Sequence, residues 1–230
     1  MKILTSFFSL FLFVSCLKAE EKQETSTEAE TQTKAEQPQS GPHPGLKDPS
    51  KAAEKAPDTF KALFTTTEGE VEITVTRKWS PQGADRFYNL VKIGYFKDVA
   101  FFRVVNGFMA QFGIHGDSSI NTAWRGATIK DDPNAGISNT PGKITFAKTG
   151  LPNSRSVQFF INYGNNDFLD NQGFTPFGEV TKGMDVVSKL YNGYGERTTQ
   201  LQGQIMAKGN DFLKSNFPEL DYIKSATIVE

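Results

Sequence analysis

From residue 60 onward, apolar and polar positions alternate in short runs, the pattern of strands that lay one face on a core. Phe60 to Thr67 and Glu70 to Thr76 do so with Glu68-Gly69 between them. This predicts a hairpin with Val71, Ile73 and Val75 on one face and Glu72 and Thr74 on the other. After Ser80-Pro81 the period becomes helical: Ala84, Phe87, Leu90 and Val91 share a face. Ser80 reads as the N-cap, Pro81 as the first turn and Gly94 as the stop. Phe101 to Phe112 reads as two short strands joined at Asn106-Gly107, a strong hairpin signal. Phe101, Arg103 and Val105 are expected on one face, Phe102 and Val104 on the other. Further strands are expected at Lys143 to Lys148, Val157 to Tyr163, Phe174 to Val180 and Tyr222 to Val229. Helices are expected at Met184 to Tyr191 and Gln204 to Phe217. Gly113 to Pro141, rich in Gly, Asn, Asp and Ser, reads mostly as loop. Many short strands with two or three helices predict a mainly β fold, a closed barrel.

The first 58 residues follow another logic. Lys2 precedes an apolar run, Ile3 to Val14, too short for a permanent membrane span. The run ends at Phe13-Val14-Ser15-Cys16, which resembles a bacterial lipoprotein box. Residues 1–15 are therefore expected to be a signal cleaved before Cys16, whose acylated form anchors the chain to a membrane. The alternative is an ordinary signal cut after Ala19. Cys16 is the only cysteine, which excludes an internal disulfide and CxxC motifs. From Lys18 through Thr59 there is no aromatic residue, and Leu46 is the only large aliphatic. Residues 16–58 thus read as a disordered tether, and residues 59–230 as the folded domain. The expected location is the bacterial cell envelope, lipid-anchored on the periplasmic face or the cell surface. With an ordinary signal, it would be soluble periplasmic or secreted.

Charge and chemistry narrow the function. A formal net charge of −1 without a basic block argues against sequence-independent nucleic-acid binding. His115, one of two histidines, has no second His or Cys at ligand spacing and reads as a loop residue. No metal and no cofactor is expected. No nucleophile–base pair supports a hydrolase. Arg103 sits in a row of apolar groups. Alone it would be a surface arginine with a packed stem. Phe108, Met109 and Gln111 follow within a few residues, and together they describe a shallow apolar pocket with fixed polar groups. Gln158 and Phe160 share a strand face further on, followed by Phe168-Leu169-Asp170 and by Gly173 to Val180.

The stretches Phe102-Arg103-Val104-Val105-Asn106-Gly107-Phe108-Met109-Ala110-Gln111, Ser156-Val157-Gln158-Phe159-Phe160-Ile161-Asn162 and Phe174-Thr175-Pro176-Phe177-Gly178-Glu179-Val180 resemble the cyclophilin-type peptidyl-prolyl cis-trans isomerases, in that family's order and spacing. The resemblance runs from about Phe60 to Glu230. It implies an eight-stranded antiparallel barrel capped by two or three helices, with a packed interior and the site on the outer wall. It implies acceleration of X-Pro isomerisation, without a cofactor, in the folding of exported proteins. By the matching motifs, Arg103 would donate to the prolyl nitrogen. Phe108, Met109, Phe160 and Leu169 would line the proline pocket. Gln111 would hold a substrate carbonyl, and Gln158 with the backbone around Ala147 and Lys148 would bind the flanking peptide. Phe168 would add an apolar wall to the substrate-binding site; it stands where many eukaryotic members have Trp, and its lack of an indole N–H implies weak cyclosporin binding. Phe174 aligns approximately with a pocket His of those members. The expected partners are proline-containing polypeptides and the membrane, with the chain a monomer. The alternative is a non-catalytic, lipid-anchored module that binds peptides or host proteins on the same fold.

Overall fold

The structure, a computed structural model, describes residues 41–229. The expected signal, Cys16 and most of the expected tether lie outside the described residues. Strands β1 (Thr59–Thr66) and β2 (Glu70–Thr76) form the first hairpin, with Phe60 opposite Val75. Helix α1 (Pro81–Lys92) follows, then β3 (Val99–Ala100), β4 (Arg103–Val105) and β5 (Met109–Phe112). Helix α2 (Ser118–Trp124) precedes β6 (Lys143–Phe146), β7 (Phe159–Asn162) and β8 (Pro176–Lys182). Helices α3 (Met184–Val187) and α4 (Gln202–Asn216) lead to β9 (Tyr222–Val229).

The strands form one antiparallel sheet in the order β3-β9-β1-β2-β8-β6-β7-β5-β4. Its two edges, β3 and β4, are separated along the chain only by Phe101 and Phe102. The curled sheet therefore ends on two pieces of one stretch. Taken as one strand, they give the eight of the expected barrel. The interior is aromatic: Phe146 lies 4.4 Å from Phe159, and Phe159 lies 5.5 Å from Phe112, measured between ring centroids. Helix α1 adds Phe87 to this core, 5.0 Å from Phe177.

The strand alternation slips between β3 and β4. Val99, Phe101 and Val104 enter the barrel core, while Ala100 and Phe102 join a second apolar cluster with Ile205 and Leu213 of α4. Phe101 is thus not on the face of Arg103 and Val105, as strict alternation predicted. Phe102 and Arg103, adjacent in sequence, both point outward, because the chain bends where one sheet edge becomes the other.

Three further expectations change. Ser80 occupies the N-cap position of α1, but its side chain does not cap the helix. Asp132 does, its carboxylate accepting from the Gln82 and Gly83 backbone N–H groups at 3.0 Å each. Ser80 Oγ donates to that same carboxylate, as does the buried Arg155 at 3.0 Å. Second, the 113–141 stretch is mostly loop, as expected, but it also contains α2, which Asp117 caps by accepting from Ser119 N at 2.7 Å. Its seven residues are too few to announce a period, and burial of Ile120 and Trp124 holds it in place.

Third, the expected tether is ordered from residue 44. Two 3-10 turns, Pro44–Leu46 and Pro49–Lys51, run along the domain. Ala52 and Ala56 are buried in the main core. Asn89 of α1 accepts from Glu54 N at 2.9 Å and donates to Glu54 O at 2.7 Å. Trp124 Nε1 donates to Leu46 O at 3.0 Å. This segment docks through its backbone, two alanines and Leu46, its one large aliphatic side chain, so composition alone hides its order.

Candidate active site

The site grows from one row across the outer wall of the barrel. Register pairs Arg103 of β4 with Gln111 of β5, Gln111 with Phe160 of β7, and Phe160 with Thr145 of β6. Period-two alternation puts all four on the face opposite the core. The β4–β5 connection sets this register. Val105 pairs with Met109, so Asn106, Gly107 and Phe108 make a three-residue loop with Gly107 at φ +72°. Phe108 is therefore in the turn rather than in the second arm, and its ring leans over the wall.

Met109, Phe160 and Leu169 make a buried apolar floor, with Val105, Phe108, Ala147 and Phe174 packed around it. Above it opens a cleft of about 420 Å³. Arg103, Gln111, Lys148 and Gln158 supply polar groups at its walls. The Arg103 guanidinium lies 5.6 Å from the Phe108 ring centroid. Its Nη1 donates to Gln111 Oε1 at 3.0 Å, and Gln111 Nε2 donates to Gln158 Oε1 at 2.9 Å. Gln111 is only 5% exposed, so both ends of its amide are fixed and it holds the arginine rather than swinging freely. Lys148 Nζ lies 5.6 Å from the Phe174 ring centroid and donates to Gln172 O at 3.1 Å.

The wall carrying Leu169 and Phe174 is held from below by a buried polar network. Asn139 Nδ2 donates to Phe174 O at 2.8 Å, and its Oδ1 accepts from Thr145 Oγ1 at 2.8 Å. Asn166 Nδ2 bridges Asn162 Oδ1 and Phe108 O at 2.7 and 2.9 Å.

A family model described as "Cyclophilin type peptidyl-prolyl cis-trans isomerase/CLD" matches residues 61–208. The chain belongs to the cyclophilin-type peptidyl-prolyl cis-trans isomerases. Peptidyl-prolyl cis-trans isomerase B of Escherichia coli (strain K12) is 35% identical over 134 residues, covering 55% of this chain and 81% of that one. A peptidyl-prolyl cis-trans isomerase of Acinetobacter baylyi is 36% identical over 131 residues, covering 55% and 69%. The crystal structure of a Cryptosporidium parvum cyclophilin superposes with a TM-score of 0.56 over 75% of this chain and 98% of that chain. At 19% identity, that likeness concerns the fold. This cyclophilin is a peptidyl-prolyl cis-trans isomerase.

Of the residues picked from its motifs, Arg103, Phe108, Met109, Gln111, Ala147, Lys148, Gln158, Phe160, Leu169 and Phe174 all line the cleft. Phe168 does not. It is 54% exposed and stacks on the outer side of Phe108, 6.2 Å between centroids. The 3-10 turn at 167–172 sends Leu169 inward and its neighbour outward. The residues picked from the sequence did not include Thr149, Ser154, Ser156 and Gln202, which also line the cleft. Nor did they include Glu196. Its carboxylate accepts from Arg103 Nε at 2.9 Å and Nη2 at 2.6 Å. Those hydrogen bonds hold the Glu196 carboxyl below the usual glutamate range. No spacing rule links positions 93 apart, so this partner is visible only once the chain is folded.

Proposed function

We propose that this cyclophilin accelerates X-Pro rotation by donating an Arg103 hydrogen bond to the prolyl nitrogen while the proline ring sits on the Met109–Phe160–Leu169 floor. The barrier to amide rotation is about 18–20 kcal/mol and comes from C–N double-bond character. X-Pro bonds populate both isomers and exchange over tens to hundreds of seconds. No bond is broken, so neither a nucleophile nor a proton relay is needed. As the amide twists, its nitrogen becomes pyramidal and gains a lone pair. A donor aimed at that lone pair is matched to the transition state and not to either planar ground state. Arginine suits this role because it stays charged and presents rigidly arrayed donors. Gln111, whose Nε2 keeps one N–H beyond the bond to Gln158, holds a substrate carbonyl, and Gln158 with the backbone at Ala147 and Lys148 binds the flanking peptide.

The observation that carries this reading is the placement of Arg103, a guanidinium tied by Gln111 at the edge of an otherwise apolar floor. The test is cis-trans exchange of an Ala-Pro peptide, followed by NMR exchange spectroscopy with the full chain and with Arg103→Ala. Loss of one transition-state donor predicts a fall of about 10²–10³-fold. Equal activity of the two proteins would remove Arg103 from the mechanism. Peptide binding without faster exchange by the native chain would favour a binding module.

Its proposed setting is the bacterial cell envelope, on a lipid anchor at Cys16, with exported proteins as clients. Lys2, the apolar run to Val14 and the small Ser15 before Cys16 support this.

A further inference from the structure

The segment between α3 and α4 crosses beside the cleft as a 3-10 helix, Gly195–Leu201, running along β4. Its approach is fixed before it arrives. Asn192 Nδ2 donates to Asn106 Oδ1 at 2.8 Å, tying the segment to the β4–β5 turn. Tyr194 packs edge-on against Phe217, 5.0 Å between centroids, and Thr198 is fully buried. Glu196 is carried on this braced turn, and its Oε2 also accepts from Thr199 Oγ1 at 2.8 Å. Both ends of its contact with Arg103 are therefore held.

We propose that Glu196 is a positioning residue for the isomerase reaction, locking the Arg103 guanidinium so that its remaining N–H groups face the cleft. This rests on the reading of Arg103 as the donor to the prolyl nitrogen. A guanidinium has five N–H groups. Glu196 takes one on Nε and one on Nη2, and Gln111 takes one on Nη1. One N–H on each of Nη1 and Nη2 is left. A bidentate carboxylate fixes the plane of the guanidinium as well as its position, and Gln111 alone would leave it free to turn about one bond. Donor geometry matters steeply, since a misplacement of about 1 Å costs about 10²-fold in rate.

Two other effects are weaker. The carboxylate partly offsets the arginine's charge, but the Glu196 side chain is 56% exposed, and water screens that interaction. The same exposure limits its worth to stability, because exposed ion pairs contribute little to folding. What distinguishes Glu196 is thus its effect on orientation, and its removal leaves the fold intact.

The experiment uses the full chain with Glu196→Ala, Glu196→Gln, Arg103→Ala and the Glu196→Ala/Arg103→Ala pair. Exchange of the Ala-Pro peptide is read by NMR across substrate concentrations. Glu196→Ala is expected to lower kcat about tenfold with KM little changed, a fraction of the loss from full misplacement. The melting temperature should stay level. Glu196→Gln, which keeps one acceptor, should recover part of the rate. The Arg103 Nε–H resonance should be protected from solvent exchange in the native chain and not in Glu196→Ala. On the Arg103→Ala background, Glu196→Ala should have no further effect, since the two act as one unit. An unchanged or raised kcat in Glu196→Ala beside a slow Arg103→Ala would overturn the inference and spare the mechanism. The same fractional loss on both backgrounds would also overturn it, showing that Glu196 acts without Arg103. A fully active Arg103→Ala would end both readings.

Discussion

Asp170 and Asn139 are locked together: the Asp170 Oδ1 accepts from Asn139 N at 3.0 Å and from Asn139 Nδ2 at 2.7 Å. The other carboxylate oxygen accepts from Ser138 Oγ. Asp170 follows Leu169, and Asn139 also holds the carbonyl of Phe174. The pair therefore pins the loop that forms one wall of the cleft.

That lock is pH-dependent. Burial pushes the Asp170 carboxyl up, but the hydrogen bonds from Ser138 and Asn139 outweigh it and hold the group below the ordinary aspartate range. A carboxyl lowered on folding stabilises the native state above its unfolded pKa of about 3.9. The contribution fades as pH falls through the folded value. Asp170→Asn is expected to destabilise the protein by about 1.5–3 kcal/mol at pH 7, the range for hydrogen bonds to a charged group. Urea denaturation should show the gap between native and variant closing as pH falls from about 5 toward 2. The variant should also raise KM for the Ala-Pro peptide. A gap constant over that interval would show that the ionised form is not what holds the loop.

The boundary of the domain can be measured in the same way. A chain starting at residue 59 loses both Asn89–Glu54 hydrogen bonds, the Ala56 N–Asp85 bond of 2.8 Å and the Trp124–Leu46 bond. It also uncovers the core beside Ala52 and Ala56. Four bonds at about 0.5–1.5 kcal/mol each predict a loss of roughly 2 kcal/mol or more against a chain starting at residue 41. Equal denaturation midpoints and slopes for the two chains would show that residues 41–58 add nothing to the fold.

The proposed anchor makes a separate prediction. When the full chain is expressed in a bacterium supplied with a labelled fatty acid, the label should enter the native protein and not Cys16→Ser. The native protein should sediment with membranes at high salt, as expected for stable anchoring by two or more acyl chains. Label in neither protein would return the ordinary signal cut after Ala19.

Much of the fold was legible from local pattern. The β1–β2 hairpin, the α1 face of Ala84, Phe87, Leu90 and Val91, and β9 at Tyr222–Val229 all follow from periods of two and 3.6 residues. The cleft residues near Arg103 were legible for the same reason. Register and alternation place Arg103 beside Gln111 once the hairpin is drawn, and the cyclophilin resemblance supplies Phe160 and the rest. Expectations failed where stabilisation is not local. Helix α2 is short and held by Trp124, and the 44–57 segment is held by the side chains of Asn89, Asp85 and Trp124. Ser80 was read correctly as a cap position, yet the capping group is Asp132, about fifty positions away.

The sequence by itself determined most of the strands and their apolar faces, and that the Arg103 guanidinium and the Gln111 amide meet across one hairpin. These are properties of a few neighbouring residues and of the backbone's two periods. Only the tertiary structure decided what completes them. It curled the sheet so that its two edges come from one stretch either side of Phe101 and Phe102, turned Phe168 outward, and set Glu196 against Arg103. The physical reason is the same in each case. A contact between distant positions depends on how the barrel's curvature and its crossing segments are summed over the whole chain, and no window of the sequence contains that sum.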